Sequence, residues 1–185
     1  MNSILQEIKE FADKAHGEQM RKYTADRYIV HPVRVMEICQ EYTHDIAMLG
    51  AAILHDVLED TPVTEKELHD FLSTLLDHDT TNRTVKLVVE LTDQYTKDKY
   101  PQWNRNKRKA KERERMASVS GEAQTIKYAD IIDNTMEIVY QDREFAPVYL
   151  EECKQLLKAM PKGDIILCAR AIAAVDDGLK KLRKK

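Results

Sequence analysis

Glycine and proline are scarce in this sequence, which has five of each among 185 residues. Together they make up about 5% of the chain, against a usual share of about 12%. A β-rich protein with many tight turns needs more of both residue types. Because lysine, glutamate, leucine and alanine are abundant instead, the composition predicts long helices.

The chain also lacks a cysteine framework, a long apolar run and a strong net charge. Its three cysteines are far apart and form no CxxC pair, which excludes a disulfide framework and favours the reducing cytoplasm. No segment approaches the about 20 apolar residues of a membrane span, and the amphipathic N-terminus does not resemble a signal peptide. A net charge of −3 argues against a general DNA-binding protein.

Helix signals recur along the whole chain, and no strand of convincing length appears between them. At about 150 residues per domain, the length predicts one domain. We therefore predict an all-α protein, a single domain over residues 1–185 with eight or nine helices in a bundle. Its motif-bearing core covers about 11–140, and its C-terminal helices cover 145–182. The predicted helices span about 3–15, 32–43, 46–60, 65–76, 82–92, 102–118, 122–140, 147–161 and 165 onwards, with a loop over 17–30.

The segment IAMLGAAILHDVL, residues 46–58, contains only two polar side chains, His55 and Asp56. A helix that is apolar on every side is buried, and burying an imidazole and a carboxylate is costly unless both find partners. Glu59 and Asp60 follow one turn later on the same side. Carboxylates crowded at one helix end repel each other, and a divalent cation is the simplest remedy. The alternatives are a core His–Asp hydrogen bond and a solvated helix end.

Two further residues extend this set. His31 follows three apolar residues, where a lone histidine is more often structural. Asp130 lies in the apolar segment IKYADIIDN, with Asn134 one turn beyond, and it can instead pair with Lys127 three residues earlier. A mixed nitrogen and oxygen set suits manganese, iron or zinc without choosing among them; the candidate ligands are His31, His55, Asp56 and Asp130.

Four segments are similar to the motifs of a known family. Residues 15–22 read AHGEQMRK, similar to AHxGQxRK, and residues 28–35 read YIVHPVRV, similar to YxxHPxxV. Residues 51–61 read AAILHDVLEDT, similar to AALLHDxxEDT, and residues 126–134 read IKYADIIDN, similar to KLADxxxN. The order and spacing also agree. The sequence thus resembles the HD-domain hydrolases of the RelA/SpoT alarmone family, especially the stand-alone small alarmone hydrolases.

The resemblance implies an activity, a cofactor and roles for particular residues. The implied reaction removes pyrophosphate from the 3′ position of (p)ppGpp with one Mn2+ per chain. The implied metal ligands are His31, His55, Asp56 and Asp130. The residues implied to position and activate the attacking water are Glu59 and Asp60. The residues implied to contact the nucleotide are Arg21, Lys22 and Asn134.

A basic cluster over residues 105–115 reads RNKRKAKERER. The default interpretation is a solvated helix face with ion pairs one turn apart. The sharper interpretation is a rim that receives substrate phosphates, for which the candidates are Arg105, Lys107 and Arg108.

Three positions depart from the family's pattern. Glu18 stands where glycine is frequent, Tyr23 where a small hydroxyl residue is frequent, and Asp133 where histidine or tyrosine is usual. All three are near the implied nucleotide site and not at the metal ligands, so they bear on the choice of substrate. Two alternatives to the implied activity stay open. One is an HD-domain phosphatase acting on another nucleotide, such as the 2′-phosphate of NADPH, and the other is a catalytically silent sensor that binds an alarmone. We expect a nucleotide substrate, no DNA and no membrane, and either a monomer or a homodimer.

Overall fold

Helices account for the regular secondary structure of residues 3–183, which are the residues that the computed structural model describes, apart from one isolated β-bridge. The all-α prediction is confirmed. Because α4 is a single turn that directly follows α3, these residues hold nine longer helices and this turn. The helices are α1 (Ser3–His16), α2 (Val30–Gln40), α3 (Ile46–Leu54), α4 (Val57–Asp60), α5 (Glu65–Leu72), α6 (His78–Leu91), α7 (Arg105–Ser118), α8 (Gly121–Gln141), α9 (Ala146–Ala159) and α10 (Ile165–Arg183).

Side-chain caps begin several helices where the sequence predicts them. The Asp45 carboxylate accepts the backbone N–H of Met48 at 2.9 Å before α3. Thr64 and Glu67 form both hydrogen bonds of a capping box before α5. Asp164 accepts two backbone N–H groups in the first turn of α10. Each such cap contributes about 1 kcal/mol to stability and determines where the helix starts.

The predicted continuous helix over 46–60 is wrong, because the structure interrupts it at His55 and Asp56. The His55 ring nitrogen Nδ1 lies 2.8 Å from the carbonyl oxygen of Ala52. In an uninterrupted α-helix this carbonyl would accept the backbone N–H of Asp56. A side chain that enters the hydrogen-bond ladder is a recognised cause of helix interruption. The interruption separates α3 from α4.

Other helix boundaries differ from the prediction at their starts. Helix α2 begins at Val30, two residues before the predicted start at 32, and Pro32 lies in its first turn. Helix α6 begins at His78, not at 82, because Asp77 caps it. Helix α7 begins at Arg105, not at 102, because Asn104 caps it.

The chain divides into two compact units, the first ending at Thr92 and the second beginning at Asp93. In the first unit, α3 packs against α1, α2 and α6, and its residues from Ala47 to Leu54 are all buried. In the second unit, α8 packs against α9 and α10, and α7 packs against α9. The organisation of residues 1–185 as one domain stays a prediction.

The turn before α10 passes close to α8 in the second unit. A Cβ atom added to Gly163 would lie 2.4 Å from Cε2 of Tyr128 and 2.9 Å from the backbone nitrogen of Thr125. These distances are far below van der Waals contact, so the position requires glycine. The buried Tyr128 hydroxyl donates to the Met160 carbonyl, and burial raises the pKa of this phenol to about 12.

A helix needs about 20 mostly apolar residues to span a membrane, and the structure describes helices over residues 3–183. In this range, none of them combines the length and apolar character needed to cross a bilayer.

Candidate metal centre

The first unit brings two imidazoles and a carboxylate together where α2 begins and α3 ends. Oδ2 of Asp56 lies 3.0 Å from Nε2 of His55 and 3.8 Å from Nε2 of His31. The three candidate ligand atoms all lie within 4.8 Å of one another. Both imidazoles are almost fully buried, whereas about 20% of the Asp56 side chain is exposed. The three ligand atoms are close enough together to bind one ion. The partial exposure of Asp56 leaves the site open to solvent.

The second ring nitrogen of His55 determines which atom faces Asp56. Nδ1 of His55 contacts the Ala52 carbonyl, which can only accept a hydrogen bond. Nδ1 therefore carries a proton, and in the neutral imidazole Nε2 presents its lone pair to the Asp56 carboxylate. A lone pair and a carboxylate oxygen 3.0 Å apart repel each other unless a proton or a cation lies between them.

The chemistry of this donor set fits a divalent cation. Histidine that binds a metal commonly donates its other N–H to a backbone carbonyl, as His55 does here. Two imidazoles and a carboxylate suit manganese, iron or zinc, and the set alone does not select among them. His31, His55 and Asp56 therefore form a possible divalent-metal site.

The loop 17–29 before α2 contacts this site through Tyr28. The Tyr28 hydroxyl donates to Oδ2 of Asp56 at 2.6 Å. The loop folds back on itself, because Met20 and Arg27 form an antiparallel bridge and the Tyr28 N–H donates to the Gln19 carbonyl. Sequence reasoning did not find Tyr28 as a partner of Asp56. The two residues are 28 positions apart, and the sequence holds no local pattern that pairs them.

The two proposed catalytic carboxylates lie in α4, immediately after Asp56. Glu59 and Asp60 are both exposed, and the Asp60 N–H donates to the Asp56 carbonyl at 2.8 Å, one helical turn away. Nε2 of Gln19 donates to Oδ2 of Asp60 at 3.4 Å. The Asp60 carboxylate thus has a donor from the loop 17–29.

The same loop carries the two cations predicted to contact phosphate. The Arg21 guanidinium carbon lies 5.6 Å from the centre of the Tyr28 ring. Nζ of Lys22 donates to the Tyr23 hydroxyl at 2.8 Å, and the Lys22 residue is exposed. Because the Tyr28 hydroxyl contacts Asp56, the loop links these cations to the candidate metal ligands.

Asp130 lies in α8 of the second unit, where it is buried. Its Oδ2 lies 2.7 Å from Nζ of Lys127, the ion pair that the sequence offered as the alternative to a ligand role. Its Oδ1 accepts a hydrogen bond from Nδ2 of Asn134 at 2.6 Å. The structure thus describes the surroundings of Asp130 and Asn134, and their roles toward metal and nucleotide stay predictions.

The basic cluster forms α7 of the second unit, and its cations have local partners. Arg105 makes two hydrogen bonds of 2.7 Å to Glu152, which raise the pKa of the guanidinium. Nζ of Lys107 lies 4.4 Å from the centre of the Trp103 ring, and Arg108 donates to the Trp103 carbonyl. These contacts agree with the solvated-helix interpretation, and the substrate role of the three cations stays a prediction.

Residues 9–162 match the family profile described as HD domain. This chain belongs to the HD domain family. The match extends from the first unit into the second and includes every residue predicted to bind metal, to act on water or to contact substrate.

This chain is also similar in sequence to curated proteins and in structure to a solved protein. A guanosine-3′,5′-bis(diphosphate) 3′-pyrophosphohydrolase of Aquifex aeolicus is 44% identical over 66 residues, which are 36% of this chain and 9% of that protein. A probable guanosine-3′,5′-bis(diphosphate) 3′-pyrophosphohydrolase of Mycoplasma pneumoniae is 28% identical over 159 residues, which are 83% of this chain and 21% of that protein. A solved structure of a metazoan ortholog of SpoT, described as hydrolysing ppGpp, is 23% identical with a TM-score of 0.78. It covers 98% of this chain, and this chain covers 96% of it.

These similarities confirm the resemblance to the RelA/SpoT-type HD-domain family that the four motifs indicated. The likeness to the metazoan structure shows that the two proteins share a fold. The HD domain of this chain spans only a small part of its curated relatives, 9% and 21% of the two bacterial enzymes above.

Proposed function

We propose that this chain is a divalent-metal-dependent phosphohydrolase that removes the 3′ pyrophosphate of (p)ppGpp. The observation that carries the proposal is the convergence of His31, His55 and Asp56, whose ligand atoms lie within 4.8 Å. All three lie in segments that resemble the family's motifs. The relatives named as ppGpp 3′-pyrophosphohydrolases support this choice of substrate.

The proposed cofactor is one Mn2+ per chain. Its proposed ligands are His31, His55, Asp56 and, from its motif IKYADIIDN, Asp130. A bound divalent ion would polarise the phosphoryl oxygens and make water more acidic. We further propose that residues 1–185 form one HD domain, since the family match extends from the first unit into the second.

Glu59 and Asp60 are the proposed groups that orient the attacking water and accept its proton. Both are exposed carboxylates in the turn that follows Asp56. Asp60 accepts a hydrogen bond from Gln19 at Oδ2, which helps to orient its carboxylate. A positioned acid–base group of this kind contributes about 10²–10⁴-fold to the rate.

The proposed substrate contacts come from cations and one amide. Arginine and lysine bind phosphate through charge-assisted hydrogen bonds, and the loop 17–29 presents both types at Arg21 and Lys22. Asn134 is the proposed contact to the nucleotide. A rim of α7 adds longer-range attraction for phosphates through Arg105, Lys107 and Arg108. We propose a cytoplasmic location for this activity, since the sequence has the cysteine usage of a reducing compartment.

A substrate panel tests the activity directly. Protein stripped of metal by a chelator and reloaded with Mn2+ would be incubated with ppGpp, pppGpp and NADPH. We expect pyrophosphate from both alarmones, in amounts equal to the loss of substrate, and no turnover before metal is added. Orthophosphate released from NADPH alone would favour the alternative HD-domain phosphatase. Tight binding of ppGpp without turnover would favour the silent sensor.

The substitution Asp130→Asn tests the ligand assigned from its motif. It retains the size of the side chain and removes the negative charge, so we expect weaker Mn2+ binding and no turnover. Metal content per chain would be measured beside the rate. Asp176→Asn is the matched control, because Asp176 is paired with Lys154 in the same unit. Full metal content and full rate in Asp130→Asn would remove this residue from the ligand set.

A further inference from the structure

A hydrogen bond joins the loop 17–29 to one oxygen of a candidate metal ligand. The Tyr28 hydroxyl lies 2.6 Å from Oδ2 of Asp56, the oxygen that both His31 and His55 face. We propose that Tyr28 is a positioning residue that holds the Asp56 carboxylate in the orientation in which it binds a divalent ion. This inference rests on the proposed function only in requiring that an ion binds at this site.

The chemistry of the two groups supports this role. A phenol has one proton to donate, and an ionised carboxylate can only accept. A distance of 2.6 Å is typical of a charge-assisted O–H···O⁻ hydrogen bond. The oxygen has a second lone pair, so Oδ2 of Asp56 can accept from Tyr28 and still serve as a ligand. The terminal torsion of aspartate is broad and shallow, and a fixed donor restricts it.

Tyr28 can restrict Asp56 because the Tyr28 ring is itself held in place. The centre of the Tyr28 ring lies 4.5 Å from the centre of the His16 ring. The backbone N–H of Tyr28 donates to the Gln19 carbonyl. His16 is buried, and its Nδ1 lies 2.9 Å from Oε1 of Gln19. His16 thus braces both Tyr28 and Gln19.

The same ring also contacts Arg21, a proposed phosphate-binding residue. The guanidinium carbon lies 5.6 Å from the ring centre. The loop 17–29 therefore has two roles: it presents cations for phosphate, and it orients a metal ligand. Loss of the Tyr28 hydroxyl should affect the second role and leave the cations present.

The test compares Tyr28→Phe with Tyr23→Phe. Phenylalanine keeps the ring that His16 and Arg21 contact, and removes only the donor. Tyr23 lies in the same loop, and its hydroxyl contacts Lys22 instead of a site carboxylate. The dissociation constant of Mn2+ would be measured by electron paramagnetic resonance of the free ion. We expect about 10- to 100-fold weaker Mn2+ binding in Tyr28→Phe and an unchanged constant in Tyr23→Phe.

A second readout separates positioning from a purely structural role. In Tyr28→Phe, excess Mn2+ should restore most of the lost turnover of ppGpp, because the ligand is present but poorly oriented. A variant that had only lost stability would melt at a lower temperature without metal, and its folded fraction would bind Mn2+ with the unaltered constant. An unchanged or tighter Mn2+ constant in Tyr28→Phe would overturn the inference. Absence of Mn2+ binding in the unmodified protein would instead contradict the proposed function.

If circular dichroism shows that Tyr28→Phe does not fold, the unmodified protein still tests the inference. Tyrosine labelled with 13C at the ζ carbon gives one signal per ring, and the chain has eight tyrosines. Substituting the other tyrosines one at a time by phenylalanine assigns the Tyr28 signal by elimination. We expect that signal to shift when diamagnetic Zn2+ is added. A Tyr28 signal that does not respond while Zn2+ binds would overturn the inference.

Discussion

The end of α3 and the basic helix α7 both concentrate charged side chains, but they arrange them differently. At the end of α3, the side chains of His31, His55 and Tyr28 all face Oδ2 of Asp56, and both imidazoles are buried. In α7, the cations are spread over separate partners, such as Arg105 with Glu152, Lys109 with Asp93 and Lys111 with Glu114. Exposed pairs of this second kind are screened by solvent and contribute little to stability. Convergence on one carboxylate oxygen therefore indicates a site better than charge density does.

The substitution Asp56→Asn disrupts the cluster at the end of α3, and we expect it to have the largest effect on metal binding and turnover. It removes the negative charge from the trio of His31, His55 and Asp56. Mn2+ content should therefore fall sharply, and turnover of ppGpp should drop below detection. The metal content of the purified protein and the rate with added Mn2+ would be measured together.

The matched control for this change is Asp45→Asn in the same unit. Asp45 caps α3 and pairs with Arg83 at 2.8 Å. Asparagine is also a good cap, so only the ion pair is lost, and we expect normal metal content and rate. Equal loss of metal in both variants would mean that Asp56→Asn acts by destabilising α3 and not by removing a metal ligand.

Glu59→Gln and Asp60→Asn separate catalysis from metal binding next to the same trio. Each change retains the shape of the side chain and removes the oxygen that accepts a proton. We expect normal Mn2+ content and a turnover number lower by about 10²–10⁴-fold. The larger loss identifies the main proton acceptor, and we favour Glu59, which lies four residues after His55 and three after Asp56. Near-normal rates in both variants would mean that neither carboxylate is catalytic.

Lys22→Ala tests the loop that connects the trio to substrate. A hydrogen bond to a charged group contributes about 1.5–3 kcal/mol, so the KM for ppGpp should rise by about tenfold or more. Metal content should not change, because Lys22 contacts Tyr23 and is not a candidate ligand. Lys14→Ala, an exposed lysine of α1, serves as the control and should leave KM unaltered.

Removing single cations from α7 should have the smallest effect on KM and tests directly whether this helix attracts substrate. Arg105→Ala, Lys107→Ala and Arg108→Ala would be measured one at a time. For a rim of exposed charge we expect KM to rise no more than about threefold, with the effect shrinking as salt is added. Lys158→Ala, an exposed lysine of α9, is the control for general charge loss. Unaltered kinetics in all three variants would leave α7 as a solvated helix face.

The features that the sequence predicted well depend on neighbours in the chain. The caps formed by Asp45 and Thr64 each join residues three positions apart, so a short stretch of sequence contains the whole interaction. The burial of α3 follows in the same way from an unbroken apolar run. The proximity of His55 and Asp56 needs only their adjacency.

The features that it missed depend on where distant segments meet. The hydrogen bond from Tyr28 joins positions 28 residues apart, and a single sequence contains no pattern that reports this pairing. The break after Leu54 depends on the ring orientation of His55, because the contact with Ala52 forms only when Nδ1 turns back along the helix. A helical periodicity describes side-chain faces and cannot describe such a rotation.

Gly163 has a consequence for genetics. It has no side chain with which to do chemistry, yet a Cβ there would overlap the Tyr128 ring and the backbone of α8. In a saturation-mutagenesis library scored by growth, Gly163 should tolerate as few replacements as His55. The cause would differ, since substitutions at Gly163 would deplete the folded protein in the cell while those at His55 would leave abundant inactive protein. An immunoblot beside the growth score would therefore separate the two classes of intolerant position.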